Sequence, residues 1–297
     1  MRAAVVTTFG GPEAVRIVET ELPEPAERQV RIKVTAAALN PVDAGVRSGV
    51  FGGEGKQLGL GWDVAGTVDA VGTSGGDWRV GDEVVALDHG MVNPLGTHAE
   101  YVVVDTDAVA LAPRSVDAVA AATLPLNALA AAQALDLLEV TPGQSLLVTG
   151  AAGALGGYAV QLAAHRGVSV TALAREEDAE LVRSLGASSF TTGAVEPGSV
   201  DAVLDAAIVG EAALEWVRDG GAFVAVIPGT APDPVRGVRT AAVGVSADGA
   251  RLAELVGLVD EGVLTLRVAE TYALDEAAKA HARLAEGGVR GRLVLVP

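Results

Sequence analysis

The sequence predicts an α/β protein, a doubly wound parallel sheet, joined to a separate β-rich domain. Three observations predict it. The first third of the chain carries short strand-like runs punctuated by Gly, Pro and Asp. Further on, apolar runs alternate with Ala- and Leu-rich helical stretches, the signature of repeated βαβ units. Between Ser145 and Gly157 one such run ends in a glycine-rich turn that opens directly into a helical pattern.

Taken in order, Ala3–Thr7, Arg16–Thr20 and Gln29–Ala38 have strand composition, broken by Gly10–Pro12 and Leu22–Pro25. A short helical turn is expected at Pro41–Arg47, and strands follow at Asp63–Val71, Glu83–Leu87 and Ala99–Val104. Past Ser115 the composition turns helical, over Asp117–Ala122 and Asn127–Leu138. Strands are then expected near 145–149, 168–173, 188–191, 201–206, 221–227 and 239–245, with helical segments between most of them. Asp248–Glu261 reads as a long amphipathic helix. One more helix, Asp275–Glu286, and one strand, Arg292–Val296, exceed the count of a six-stranded sheet, so the chain is expected to return to its first domain. The predicted division is 1–117, 118–262 and 263–297.

A chain of 297 residues has ample core for two domains. Half of it is hydrophobic, yet no uninterrupted apolar stretch is long enough to span a bilayer. Met1–Val6 reads as an opening strand rather than a signal peptide, and cytoplasmic residence is the expectation. The absence of cysteine excludes disulfides, thiolate catalysis and Cys-ligated zinc. A formal charge of −17 argues against nucleic acid and membrane surfaces as partners. It also means that any anionic ligand needs local positive groups.

The order strand, glycine turn, helix is what a dinucleotide pyrophosphate requires. Small residues let the backbone approach the phosphates, and the helix start offers free N–H groups. The candidates are Gly150, Ala151, Ala152, Gly153, Ala154, Leu155 and Gly156.

Several segments, in order and over nearly the whole chain, resemble one family. They are Ala36–Asp43, Gly61–Val68, Val80–Ala86, Gly96–Tyr101, Leu124–Leu126, the Gly150 motif and Arg290–Leu295. Together they resemble the medium-chain dehydrogenase/reductase superfamily, specifically its zinc-free quinone oxidoreductase (zeta-crystallin-like) branch. The resemblance implies a GroES-like β domain with an inserted Rossmann sheet, NADPH-dependent reduction of quinones or of conjugated enones and enals, and a homodimer. Asn40 stands where zinc-dependent members carry a Cys, and Trp62-Asp63 where they carry a His-Glu pair. No metal site is therefore expected, and without a Lewis acid plain alcohol oxidation is disfavoured.

NAD-preferring Rossmann domains end their second strand with an acid that binds the ribose 2′-OH. Here the strand ends Ala172-Leu-Ala-Arg175, and the Arg175 fork suits a 2′-phosphate, so NADPH is expected over NADH. Glu176 and Glu177 are read as favouring the next helix start. The later strand ends, Ala206–Ile208, Val226–Pro228 and Val243–Val245, are expected at the nicotinamide edge, with Ala206, Val226, Ile227 and Val245 as its lining. The expected reaction is hydride transfer to an enone β-carbon or a quinone, with a proton taken from solvent. Three residues are the catalytic candidates. Asn40 is a donor to cofactor or substrate, Asp43 an anchor or cap of its loop, and Trp62 a pocket wall or a packing residue. Many relatives carry a Tyr after the Asn-x-x-Asp segment, a Thr in the helix after Leu-Pro, and a Tyr after the third strand. This chain has Ala44 and Gly45, Ala130, and no Tyr around Thr191–Gly193, which implies a roomier pocket with no side-chain acid.

Other signals carry less. Gly72–Gly76 matches Gly-x-Ser-x-Gly but leads into Asp77–Gly81 rather than a helix, which a nucleophile elbow requires. His89, His98, His165 and His281 lack metal spacing, and no tyrosine has a Lys four residues on. Two rivals stay open: an enoyl-thioester reductase of lipid or polyketide synthesis, and a non-catalytic NADPH-binding sensor.

Overall fold

Alternating burial and frequent turns build the first part of the chain from strands. They are β1 (Arg2–Val6), β2 (Arg16–Glu19), β3 (Gln29–Leu39), β4 (Leu58–Gly59), β5 (Asp63–Val71), β6 (Glu83–Leu87), β7 (Tyr101–Asp105) and β8 (Val109–Leu111). The computed structural model describes all 297 residues, Met1–Pro297. β2, β1 and β4 form a small antiparallel sheet, while β3 is the spine of a larger one. Its first residues pair antiparallel with β5 on one side and β7 on the other. Val30, Ile32, Val64, Val68, Val84 and Val102 fill the core between these strands. The turn expected at Pro41–Arg47 is a full helix, α1 (Pro41–Ser48), followed later by the short α2 (Ala118–Ala121).

The α/β part follows. α3 (Pro125–Leu138) leads to β9 (Ser145–Thr149), α4 (Ala154–His165), β10 (Ser169–Leu173), α5 (Ala179–Ser184) and β11 (Ser189–Thr191). β12 (Val200–Asp205), α6 (Glu211–Leu214), β13 (Val217–Ala225) and β14 (Arg239–Ala242) complete it. All six strands are parallel, in the order β11-β10-β9-β12-β13-β14. That is the doubly wound order, which reverses between β9 and β12. No helix joins β13 to β14; Pro228, Pro232 and Pro234 occupy that connection, where a helix would break. The strand expected at 239–245 ends at Ala242.

The last segments are α7 (Gly249–Asp260), β15 (Val268–Ala273), α8 (Ala277–Glu286) and β16 (Arg292–Val296). β16 pairs antiparallel with the end of β3, Leu293 opposite Leu39, so the chain does return to its first sheet. β15, not anticipated from the sequence, runs parallel at the outer edge of β16.

Two compact units result. One comprises Met1–Leu126, Ala247–Glu261 and Leu266–Pro297, the other Asn127–Ser246 and Gly262–Thr265. Both departures from the 117 and 262 boundaries have a local cause. Leu126 N–H, in the first turn of α3, donates to Asp63 Oδ1 of β5 at 2.6 Å, holding Leu126 and the segment before it in the first unit. Asp260 Oδ1, at the end of α7, accepts the N–H groups of Arg114 and Ser115 at 2.9 Å each, so α7 packs on β8. No helix is long and apolar enough to cross a membrane.

Candidate functional site

The glycine turn of the second unit joins β9 to α4. Gly150 has φ +59°, the left-handed region that favours glycine, and its carbonyl accepts the Gly153 N–H at 2.8 Å. A Cβ on Gly156 would lie 2.3 Å from that same carbonyl oxygen, so the helix crosses the turn only where no side chain exists. Gly153 is the N-cap of α4 and has no side chain to bond the first N–H groups of the helix, whose start carries the positive dipole end. Ala151 and Ala152 are buried, while Gly153, Ala154 and Leu155 keep partial exposure. A strand, a turn of glycines and alanines and a helix start in this order are the residue types and geometry that fit a pyrophosphate.

A neighbouring network was not anticipated. Thr149, the last residue of β9, donates its hydroxyl to Asp205 Oδ1 at 2.7 Å and accepts the Ala207 N–H at 2.9 Å. Asp205, the last residue of β12, also accepts the N–H groups of Val209 (3.0 Å) and Gly210 (2.8 Å). These contacts fold the stretch from Ala206 over the glycine turn, with Ala207 Cβ 3.3 Å from where a Gly150 Cβ would be. An acid ending an apolar strand was the available signal. Ala206, Val226 and Val245 are partly exposed, and Ile227 is 43% exposed. Arg175 lies just beyond β10, mostly exposed and only loosely paired, 3.6 Å from Glu177.

In the first unit, Asn40 follows the end of β3 and caps α1. Its N–H donates to Asp43 Oδ2 at 2.7 Å, one arm of a capping box, and Asp43 Oδ1 accepts the Gly61 N–H at 2.9 Å. Both ends of the Asn40 amide are engaged. Nδ2 donates to Asp63 Oδ2 at 2.7 Å, and Oδ1 accepts from the Arg292 guanidinium at 2.6 Å. Arg292 also donates to the Leu39 carbonyl. Asn40, Asp43 and Asp63 are fully buried. Burial pushes Asp63 up to about 7, against the Asn40 and Leu126 donors and the Arg292 charge. Burial likewise raises Asp43, opposed by His98, the two backbone donors and Arg292.

The structure thus brings Asn40 and Asp43 together, and adds Asp63 and Arg292, which the sequence reading did not single out as site residues. Both lie in segments with family resemblance, Gly61–Val68 and Arg290–Leu295, but nothing local links positions 252 residues apart. Asn40 serves this buried cluster rather than an exposed surface. Trp62 is 5% exposed, with its ring edge-on to His89 at 6.4 Å between centroids. No three His, Asp or Glu side chains lie close enough together to hold a metal ion.

Comparison with known proteins agrees with this architecture. Residues 26–114 match the alcohol dehydrogenase GroES-like domain, and residues 178–295 match the family described as zinc-binding dehydrogenase. A chloroplastic NADPH-dependent alkenal/one oxidoreductase of Arabidopsis thaliana is 39% identical over 254 residues, 81% of this chain and 66% of that protein. A quinone oxidoreductase of Pseudomonas aeruginosa is 30% identical over 324 residues, covering 97% of each. A mycobacterial protein solved complexed with NADPH superposes with a TM-score of 0.85 at 27% identity, covering 100% of both chains.

Proposed function

The chain belongs to the medium-chain dehydrogenase/reductase superfamily, in its quinone oxidoreductase branch, and from that premise we propose that it is an NADPH-dependent reductase of quinones and α,β-unsaturated carbonyl compounds. The observation that carries the reading is the glycine turn from Gly150 to Gly156 at the start of α4, where the left-handed Gly150 and the close crossing at Gly156 both call for glycine. The named activities of the Arabidopsis and Pseudomonas relatives support the choice of acceptor, and the mycobacterial complex supports the choice of cofactor.

When bound, NADPH supplies the hydride. The backbone of Gly150–Gly156 holds its pyrophosphate, and Arg175 pairs with its 2′-phosphate through a charge-assisted fork. Ala206, Val226, Ile227 and Val245 line its nicotinamide end. In the first unit Asn40 and Asp43 act as positioning residues, fixing the start of α1 and the Gly61 backbone, while Trp62 walls the acceptor pocket. The proton that completes the reduction comes from solvent.

The proposal includes a cytoplasmic homodimer. β14 is one of the two outer strands of the parallel sheet, and a strand edge is a ready surface for a second copy. Light scattering at micromolar concentration should give twice the 29.8 kDa chain mass; a monomer removes this part.

The activity is tested by initial rates of NADPH consumption against a naphthoquinone, a 2-alkenal, an enone and a crotonyl thioester, with NADH in parallel. Turnover of the quinone or enone with NADPH supports the reading. A preference for the thioester favours an enoyl-thioester reductase, and NADPH binding without turnover of any acceptor favours a sensor.

A further inference from the structure

β7 is paired with another strand on one side only, by β3. Val34 N–H donates to the Glu100 carbonyl and Thr106 N–H to the Arg28 carbonyl, each at 2.9 Å, which sets the phase of that antiparallel ladder. Val102 and Val104 therefore turn their backbone groups toward β3, and Tyr101 and Val103 turn theirs the other way. Just before β7 that outer side is taken, since the Arg2 carbonyl of β1 accepts the Glu100 N–H at 3.0 Å. Past Glu100 it is open: neither the N–H nor the C=O of Tyr101 or Val103 has a partner in the chain.

An open strand edge is a template for another strand. This one lies along a cavity of about 310 Å³, lined by Tyr101–Asp105 and faced by Pro23 and residues 93–95. Across the cavity the Asn93 carbonyl accepts the Gly59 N–H at 2.8 Å, and the Pro94 carbonyl accepts Gln57 Nε2 at 3.1 Å. With those acceptors engaged, β7 is the side that offers backbone pairing. Two acids set the charge of the cavity. Asp88 and Asp105 both line it, and no Lys, Arg or His does. Asp88 has neither a hydrogen-bond donor nor a cation beside its carboxylate, and burial, then the Asp105 charge, push it up to about 6. Asp105 accepts from Gln29 Nε2 at 2.9 Å and has no cationic partner.

We propose that the β7 edge binds a short, extended, basic peptide segment of a partner protein, which adds as a strand beside Tyr101 and Val103 and sets a Lys or Arg side chain against Asp88 and Asp105. Main-chain bonds to β7 supply the affinity, and the two acids select the charge. The chain's net charge of −17 draws such a segment from a distance. This surface is a binding activity separate from the reductase chemistry.

The test titrates the full chain against the fluorescein-labelled heptapeptide TVRVKVT, followed by anisotropy at pH 7.5 and low salt. The wild type is expected to bind it with a Kd below about 100 μM, and the acidic control TVEVEVT at least about tenfold more weakly. Asp88→Asn should weaken TVRVKVT about fivefold. Val103→Pro removes an edge N–H that the β3 ladder does not use, so it should fold as the wild type does and bind at least about tenfold more weakly. TVRVKVT with a methylated backbone keeps its side chains and charge but should not bind, and this arm decides the matter even if Val103→Pro fails to fold. No saturable binding by the wild type overturns the proposal, as does equal affinity for TVEVEVT. Retained affinity of the methylated peptide, or of a folded Val103→Pro for TVRVKVT, overturns strand addition. Displacement of the peptide by n-butylamine at equal concentration would assign the cavity to a small amine, and loss of self-association in Val103→Pro would assign the edge to a second copy; either overturns the proposal.

Discussion

Asn40 shows how one residue is fixed by chemistry distant in sequence. Its amide bridges the Asp63 carboxylate and the Arg292 guanidinium, so the orientation with Nδ2 toward the acid and Oδ1 toward the cation is the only one that satisfies both. Asn40→Ala would leave the buried Asp63 carboxyl and Arg292 guanidinium each short of a partner and should cost about 2–4 kcal/mol, read from denaturant midpoints. A loss under about 1 kcal/mol would mean that the cluster relaxes around the gap. His281 is a different case. It is 1% exposed, neither ring nitrogen has a hydrogen-bond partner, and burial, then His98 and Arg47, push it down to about 3. The unfolded chain binds a proton near the ordinary value of 6.5 that the folded chain refuses, so this residue's contribution is full above 6.5 and is lost as pH falls toward 3. Asp63 has the opposite sign, since its raised value favours the folded state below about 3.8 and that benefit is lost as pH rises through about 7. His281→Leu isolates the histidine: its melting temperature should fall less than the wild type's between pH 6.5 and 4. Parallel curves would refute the assignment.

The glycine turn with α4 is the element the sequence shows most plainly. Its strand, turn residues and helix are contiguous, so local spacing carries the whole pattern. Gly156→Ala tests the geometry directly, because its Cβ would meet the Gly150 carbonyl at 2.3 Å. The substitution should cost about 1–3 kcal/mol and weaken NADPH binding about tenfold; unchanged affinity would show that the crossing is not tight. The doubly wound order and the return of β16 to β3 were equally legible, since apolar periodicity and a surplus strand dictate them. What stayed hidden depends on partners far along the chain. α7 looks like a continuation of the α/β part until Asp260 is seen to accept the Arg114 and Ser115 N–H groups, about 145 residues away. β15, Val-Ala-Glu-Thr-Tyr-Ala, lacks a clean buried face because it is an edge strand. Thr149 with Asp205, and Asn40 with Asp63 and Arg292, are polar pairs inside apolar surroundings, and periodicity says nothing about which polar residues meet.

For the molecule as a whole, charge and function have to be reconciled. A chain of net charge −17 repels an anionic cofactor at long range, so short-range groups must provide the attraction. In the proposed complex, helix N–H groups would serve the pyrophosphate, and Arg175, exposed and 3.6 Å from Glu177, would serve the 2′-phosphate. Arg175→Ala should therefore raise the KM for NADPH about tenfold and leave that for NADH unchanged. An equal rise for both cofactors would place the preference elsewhere. The central claim is hydride transfer from NADPH to an electrophilic carbon of the acceptor, and isotopic labelling tests it most directly. A 2-alkenal would be reduced with NADPH deuterated at C4, each of the two labelled epimers being used in turn, and the saturated product analysed by NMR. The account predicts one deuterium at the β-carbon from one epimer and none from the other. NADPH consumption without β-deuterium in the product from either epimer would contradict it.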